Sequence, residues 1–403
     1  MSVKPPSIYS YNNSNIKNLN QRVVNLRVRC TRNEPCSLIN STTGMCRGVF
    51  WPRPVTQWLA MWNHTHHLLR SLLPQTGRII GPSLSTGFGT RAPGDNATFA
   101  TDWLWQDFLV FAHAQDCMPD VFSFHPFLDP TGGDVVTGAR ALAAFLEEHD
   151  MPQLPISANE YGGSWNEVPG YPGAQLSYLA NLEKSGVQSA MRACFHDAPT
   201  DNCSCGNATL NGLLTCEAIP RPRSAYWIYA AYGAMRGRML ARGAVQSAKP
   251  AAPENVVDAM MSLNLSTSFG DSATAELLVA YFPCTPRDLY SPTTVYPAGC
   301  DVKTSANKSV LVRLENLPAA MGLHPSITTR RIPGDRGVSA LAAPITIVPV
   351  AGESFSVTNK GVLELTLEMA PQDVSYHTVC VPKSMLVGSF LLTCRVPDCR
   401  PGG

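Results

Sequence analysis

The feature that most constrains the fold is an alternation of strand-type and helix-type segments between residues 22 and 240. Short apolar runs that suit buried strands take turns with longer segments whose apolar residues recur at helical spacing. Strands are predicted at 22–30, 78–83, 120–124, 154–161 and 187–195, and helices at 52–73, 101–115, 134–149, 174–184 and 225–240. Alternation of this kind is typical of a parallel α/β sheet with crossover helices. A closed (β/α)8 barrel has eight such units, so the five found here predict a partial TIM barrel.

The pattern changes beyond residue 250, where short strand-type segments stand between turns rich in Pro, Gly and Asn. These segments are 275–282, 310–314, 327–332, 345–350, 362–367 and 376–381. Their spacing predicts an antiparallel β-sandwich of about 130 residues. The predicted organisation is a disordered segment at 1–21, a partial barrel domain at 22–245, a β-sandwich accessory domain at 250–384 and a loose tail at 385–403.

Charge and hydropathy exclude two classes of partner. The 403 residues include 31 Lys and Arg against 30 Asp and Glu, so no net field favours nucleic acid or an anionic membrane surface. No run of about eighteen apolar residues is present, so we expect no membrane span. The sequence does not indicate an oligomeric state.

Cysteines and glycosylation sequons favour a secreted protein. The chain has 13 cysteines and N-x-[ST] sequons at Asn12, Asn40, Asn63, Asn96, Asn202, Asn207, Asn264 and Asn307. The amino terminus is polar, however, and lacks the apolar core of a signal peptide. We therefore expect that this amino terminus is not the natural start of a complete protein.

Two glutamates at predicted strand ends are the candidate catalytic residues. Glu160 ends the strand of LPISANEYGG, and Glu34 follows the strand at 22–30 in the motif NEP. The carboxyl ends of barrel strands carry catalytic groups, and hydrolysis of a glycoside with retention needs two carboxyl groups about 5–5.5 Å apart. Asn33 stands where an amide could hydrogen-bond the sugar 2-OH. The alternative is that Glu160 is a strand-end acid that only caps the following loop.

Ordered motifs resemble a known family. They are NEP at 33–35, FWPRPVTQWLAMW at 50–62, IIGPS at 79–83, FSFHPF at 122–127, ANEYGG at 158–163 and AYWIYAAYG at 225–233. In this order the chain resembles a clan A glycoside hydrolase, most similar to the family 39 type of β-xylosidases. The likeness covers roughly residues 30–240, and the family commonly carries an appended β domain.

The resemblance implies roles for six residues. Glu160 would be the nucleophile and Glu34 the general acid/base, with Asn33 beside it. His125 would line the sugar subsite, and Tyr161 and Trp165 would stack on the sugar ring or hydrogen-bond it. The family's two carboxylates suffice for the chemistry, so no metal and no organic cofactor is expected.

Departures from the family leave alternatives open. Counting strands back from Glu160 leaves the first three barrel strands absent, so we expect an incomplete enzyme that is poorly soluble and inactive when expressed alone. The segment around Glu34 is longer and richer in cysteine than the family's, and Glu167 is a poorer substitute for it. A non-catalytic or vestigial carbohydrate-binding protein is the alternative function. The sequence does not identify the sugar.

Overall fold

A computed structural model of the chain describes a set of separate segments. The described residues are 23–25, 55–84, 105–126, 133–161, 171–192, 213–235, 238–242, 256–264, 272–282, 307–315, 326–334, 341–347, 356–357, 363–382 and 391–395, apart from 75, 216, 342, 371 and 372. The predicted disordered segment at 1–21 lies outside them.

Strands and helices alternate in the first part of the chain, as the sequence predicts. The strands are β1 Val23–Asn25, β2 Arg78–Leu84, β3 Val121–Phe124, β4 Ile156–Tyr161 and β5 Ser189–Arg192. The helices are α1 Val55–Leu72, α2 Trp105–Ala114, α3 Gly133–Glu148, α4 Pro172–Ser185 and α5 Ser224–Ala234. An α/β organisation is therefore confirmed for this part of the chain.

The chain divides into two compact units, of which the first comprises residues 1–82 and 101–121. Within it β1 pairs with β2 in parallel. The core of this unit is built on Trp62, which stacks on Trp58 and meets the edge of Phe108 at a centroid distance of 5.1 Å. The Trp62 indole N–H donates to the carbonyl of Cys117 at 2.9 Å, so the one polar atom of the ring is satisfied.

The second unit comprises residues 83–100 and 122–403 and contains the carboxyl end of β2 with most of β3. Here β3, β4 and β5 run parallel, with Phe122 opposite Ile156 and Ser157 opposite Ser189. The end of β2 runs beside β3, because the His125 N–H donates to the carbonyl of Leu84 at 2.6 Å. Polar side chains at the carboxyl ends of these strands therefore lie close together.

Helix α4 is buried over nearly its whole length. It begins with Pro172, where a missing N–H costs nothing, and ends at Gly186, whose φ of 72° is the left-handed conformation of a helix C-cap. It contacts α3 and α5 and also two antiparallel strands, β7 at Val256–Asn264 and β8 at Ser272–Phe282. Contacts on several sides explain why its polar residues Gln175 and Ser177 are buried as well.

Antiparallel strands make up the remainder of the second unit. They are β6 Arg238–Arg242, β7 Val256–Asn264, β8 Ser272–Phe282, β9 Lys308–Glu315, β10 Ser326–Ile332, β11 Ile345–Ile347, β12 Ser356–Val357, β13 Leu363–Met369, β14 Val374–Pro382 and β15 Leu391–Arg395. They form a six-stranded sheet in the order β11-β10-β14-β8-β7-β6 and a four-stranded sheet in the order β12-β13-β9-β15. Apolar residues alternate toward the interior along β13, where Leu363, Leu365 and Met369 are buried.

The structure differs from the predicted boundaries at two places. The helix predicted at 225–240 ends at Ala234, and β6 follows at once and pairs with β7. The antiparallel region therefore begins before residue 250. Residues 385–403, predicted as a loose tail, contain β15, which pairs with β9 over five residues. Both segments form strands because they pair with strands that are distant in the sequence, and local propensity does not reveal such pairing.

No helix within the described segments is long and apolar enough to cross a membrane.

Candidate active site

A β-bulge interrupts strand β4 just before the candidate nucleophile. Ser157 and Ala158 face Ser189 and Ala190 of β5 in regular register, but Tyr161 faces Arg192. Two residues of β4, Asn159 and Glu160, therefore lie opposite one residue of β5. A bulge adds a residue to one strand, changes the direction of the side chains there and is common beside active sites.

A series of side-chain hydrogen bonds connects the strands next to this bulge. We call it the serine–asparagine chain, and its members are Ser189 on β5, Ser157 and Asn159 on β4, Ser83 on β2 and Ser123 on β3. The Ser189 and Ser157 hydroxyls lie 2.8 Å apart, and the Ser157 hydroxyl donates to Asn159 Oδ1 at 2.9 Å. Asn159 Nδ2 donates to the Ser83 hydroxyl at 2.8 Å, which lies 3.1 Å from that of Ser123. Both ends of the Asn159 amide are thus held.

Glu160 follows directly and keeps access to solvent. Its side chain is 29% exposed, whereas Asn159 is 7% exposed. Its Oε2 lies 3.6 Å from Nδ1 of His125, whose side chain is 18% exposed. His125 occupies the first position after β3, so the strand ends bring together two residues that are 35 positions apart in the sequence. A carboxylate at this place is accessible to a ligand and has a neighbour that can donate a hydrogen bond to it.

Tyr161 lies in a different environment from the one that the sequence predicts. It is 4% exposed, and its ring stacks on Tyr178 of α4 at a centroid distance of 5.1 Å. Its hydroxyl donates to Tyr229 of α5 at 3.3 Å, and the Tyr229 hydroxyl donates to Gln175 at 2.6 Å. Burial raises the pKa of Tyr161 well above its ordinary value, and the adjacent Tyr229 adds to this effect.

This packing corrects the expectation that Tyr161 contacts a sugar. In a regular strand Tyr161 would share a face with Ser157 and Asn159, because successive side chains alternate. The bulge removes that relation, and Tyr161 packs on α4 while Ser157 and Asn159 bond to other strands. Tyr161 thus anchors the end of β4 to the helices.

The structure brings together two of the six residues that the sequence singles out for the site, Glu160 and His125. Glu34, Asn33 and Trp165 lie outside the described residues, as does the possible substitute Glu167. Their roles remain predictions.

Sequence reasoning overlooked the serines beneath Glu160. A signal for them exists, because each of four predicted strands carries one serine at its polar end or centre: IIGPS, VFSF, PISAN and VQSAM. Serine is not a common residue of a buried strand, and the other three residues of β3 are apolar. Four such serines in consecutive parallel strands predict lateral hydrogen bonds across a sheet.

Within the described part of the chain, no group of three or more His, Cys, Asp or Glu side chains is placed to hold an ion. The described site contains a solvent-accessible carboxylate on Glu160, the imidazole of His125 and the hydrogen-bonded serine–asparagine chain. A carboxylate held in this way can act as a nucleophile or as a hydrogen-bond acceptor for a polar ligand.

Comparison with known proteins gives a fold and no family. No protein-family model matches the chain, and no curated protein matches it. Among solved structures, the chain is similar to N2152 from Neocallimastix frontalis, with a TM-score of 0.56 and 19% identity over 83% of this chain and 68% of that one. This likeness shows a shared fold.

Solved glycoside hydrolases are also among the matches. A GH39 enzyme from Xanthomonas axonopodis pv. citri gives a TM-score of 0.46 and 14% identity over 83% of this chain and 66% of that one. A monomeric β-xylosidase from Caulobacter crescentus CB15 gives 0.46 and 15%, over 83% and 67%. The chain thus spans about two thirds of the length of each structure.

Proposed function

We propose that this protein hydrolyses O-glycosidic bonds by a retaining double-displacement mechanism, on a partial TIM barrel with an attached β-sandwich. Glu160 is the nucleophile in this proposal, and Glu34 is the general acid/base. The observation that carries it is the position of Glu160, a partly exposed carboxylate at the carboxyl end of a parallel strand, next to a bulge and to His125. The motifs ANEYGG and FSFHPF, which contain these two residues, support it.

The first step is attack on the sugar. A Glu160 carboxylate oxygen forms a bond to the anomeric carbon while the bond to the leaving oxygen breaks, and Glu34 gives its proton to that oxygen. The product is a covalent glycosyl-enzyme ester. Water then attacks the anomeric carbon, Glu34 takes a proton from it, and the ester bond to Glu160 breaks, so the configuration at the anomeric carbon is retained.

His125 has two possible contributions to this chemistry that do not exclude each other. An N–H on Nδ1 would donate to Glu160 Oε2 after a shortening of the 3.6 Å separation. The His125 side chain, which is 18% exposed, is also proposed to contact a sugar hydroxyl. Asn33 is proposed to bind the 2-OH, and Trp165 to stack on the ring.

The test is turnover of 4-nitrophenyl glycosides of xylose, glucose and arabinose by the purified protein. We expect release of nitrophenol from at least one of them by the wild type, and a loss of about 10⁴-fold in Glu160→Gln, because the amide is a poor nucleophile. The matched control is Glu148→Gln at the exposed end of α3, which should keep the wild-type rate.

Glu34→Gln distinguishes the acid/base role. A poor leaving group needs a proton, whereas 2,4-dinitrophenolate leaves without one, so the first step with that substrate should be nearly unchanged. Unchanged kinetics with both leaving groups would refute the role of Glu34. Retained turnover in Glu160→Gln would refute the proposal for Glu160, and sugar binding without turnover by the wild type would favour the non-catalytic carbohydrate-binding alternative.

A further inference from the structure

The serine–asparagine chain links four strands at the level of Glu160. Bonds within a strand ladder hold neighbouring strands at fixed spacing, but a bulge leaves part of that ladder unpaired. In β4 two residues, Asn159 and Glu160, stand opposite a single residue of β5. Hydrogen bonds of side chains also act on the backbone at this position.

Side chains supply those bonds. Asn159 accepts from Ser157 with its oxygen and donates to Ser83 with its nitrogen, so its amide cannot turn over without losing both bonds. Asn159 is nearly fully buried, and an unmet polar group at such a place is costly. The residue directly before Glu160 is therefore held in one orientation from two sides.

Ser83 adds a second constraint. Its φ of 61° lies in the left-handed region, which non-glycine residues adopt at a cost and which is often found near functional sites. Its N–H donates to the Ser123 hydroxyl at 3.0 Å, and its own hydroxyl lies 3.1 Å from the same atom. These contacts place the hydroxyl of Ser83 where Asn159 meets it.

We propose that the serine–asparagine chain sets the direction of the Glu160 carboxylate, with Ser83 and Ser157 as positioning residues. Neither serine touches the reacting atoms. They act through Asn159, which they hold in the bulge next to the nucleophile. The effect on catalysis rests on the proposed function, whereas the effect on the orientation of Glu160 rests on the hydrogen bonds alone.

The kinetic test compares Ser83→Ala, Ser83→Gly and Ser157→Ala with Ser177→Ala. Ser177 in α4 is a fully buried serine outside the serine–asparagine chain, so its replacement controls for the loss of a buried hydroxyl. We expect kcat to fall by about 10- to 100-fold in the three test variants with little change in KM, since a displacement of about 1 Å has effects of that size. Ser177→Ala should keep kcat within about twofold of the wild type.

Ser83→Gly separates positioning from stability. Glycine adopts a φ of 61° without strain, so this variant should melt at a higher temperature than Ser83→Ala while losing as much kcat. A purely structural role predicts instead that kcat follows the melting temperature across the set. Wild-type kcat in Ser83→Gly and Ser157→Ala, or a rise in KM without a change in kcat, would overturn the proposal.

Crystal structures of Ser83→Gly and Ser157→Ala give a readout that needs no activity. The proposal predicts that the distance of 3.6 Å between Glu160 Oε2 and His125 Nδ1 changes by about 1 Å or that the carboxylate occupies more than one position. An unchanged single position overturns the proposal. Absence of turnover in the wild type would refute the proposed function, whereas these structures would still decide the positioning role.

Discussion

A buried histidine in the antiparallel region makes the stability of the protein depend on pH in a calculable way. His377 on β14 is 1% exposed, and both of its ring nitrogens bond to hydroxyls. Thr329 Oγ1 lies 3.0 Å from Nδ1, and Ser375 Oγ lies 2.8 Å from Nε2. Burial lowers the pKa of His377 from 6.5 to about 4, because an imidazolium there would lose its hydration.

The direction of the pH dependence follows from the linkage between protonation and folding. The folded state binds the proton less readily than the unfolded state, so the unfolded state takes up more protons once the pH falls below 6.5. Stability is therefore lost between pH 6.5 and about 4, and the loss is complete below that range. Lowering the pKa from 6.5 to about 4, at about 1.36 kcal/mol per pKa unit, gives a maximum loss of about 3 kcal/mol. Most of this loss, about 2–3 kcal/mol, should be seen at pH 4.5 relative to pH 7.5.

The assay is urea unfolding followed by circular dichroism at pH 7.5, 6.5, 5.5 and 4.5, on the wild type and on His377→Gln. Glutamine can bond to Thr329 and Ser375 but does not titrate, so the variant should lack this part of the pH dependence. His113→Gln on the exposed side of α2 is the control and should follow the wild type. Identical pH dependence in the wild type and in His377→Gln would refute the reasoning.

Two further predictions concern packing and burial in the folded protein. A Cβ on Gly81 would lie 2.4 Å from the Trp62 ring, so thermal melts should show that Gly81→Ala lowers the free energy of unfolding by about 1–3 kcal/mol. Nothing lies within 4 Å of a Cβ on Gly233 in α5, so Gly233→Ala should raise the free energy of unfolding by up to about 1 kcal/mol. Equal effects of the two substitutions would contradict this packing. Burial raises the pKa of the Cys117 thiol to about 11, so mass spectrometry should find it unlabelled by iodoacetamide in the folded protein and labelled in urea, and rapid labelling without urea would contradict its burial.

The α/β alternation could be predicted from sequence because its signals are local. The buried face of α3 is an example, since Val135, Ala139, Leu142 and Leu146 stand at helical spacing and are all buried. The resemblance implied that His125 lies at the site of Glu160, and their proximity agrees with the rule that the carboxyl ends of parallel strands meet at one edge.

Features that depend on distant pairing could not be predicted. Strand β15 is a short segment that forms because β9 offers it a partner. The bulge in β4 also depends on distant pairing, because it is a shift in register relative to β5. No local sequence pattern around Asn159 indicates it. The resemblance implied that Tyr161 contacts the sugar, whereas its ring packs on Tyr178 of α4.

The sequon at Asn63 illustrates the limit of motif reading. It lies within α1, and its side chain is partly buried. A sequon is an indication of glycosylation when it lies on a surface loop. This one therefore gives no support to secretion, and that expectation depends on the other sequons and the cysteines.

The measurement that tests the central claim most directly is trapping of the glycosyl-enzyme intermediate. The protein is incubated with 2,4-dinitrophenyl 2-deoxy-2-fluoro glycosides of xylose and glucose, digested and analysed by mass spectrometry. The fluorine slows both steps, and the good leaving group lets the first step proceed, so the covalent ester accumulates. The account predicts a fluorosugar on the peptide containing LPISANEYGG, attached to Glu160 and absent in Glu160→Gln. A fluorosugar on a different residue, or turnover of the matching aryl glycoside without any adduct, would contradict it.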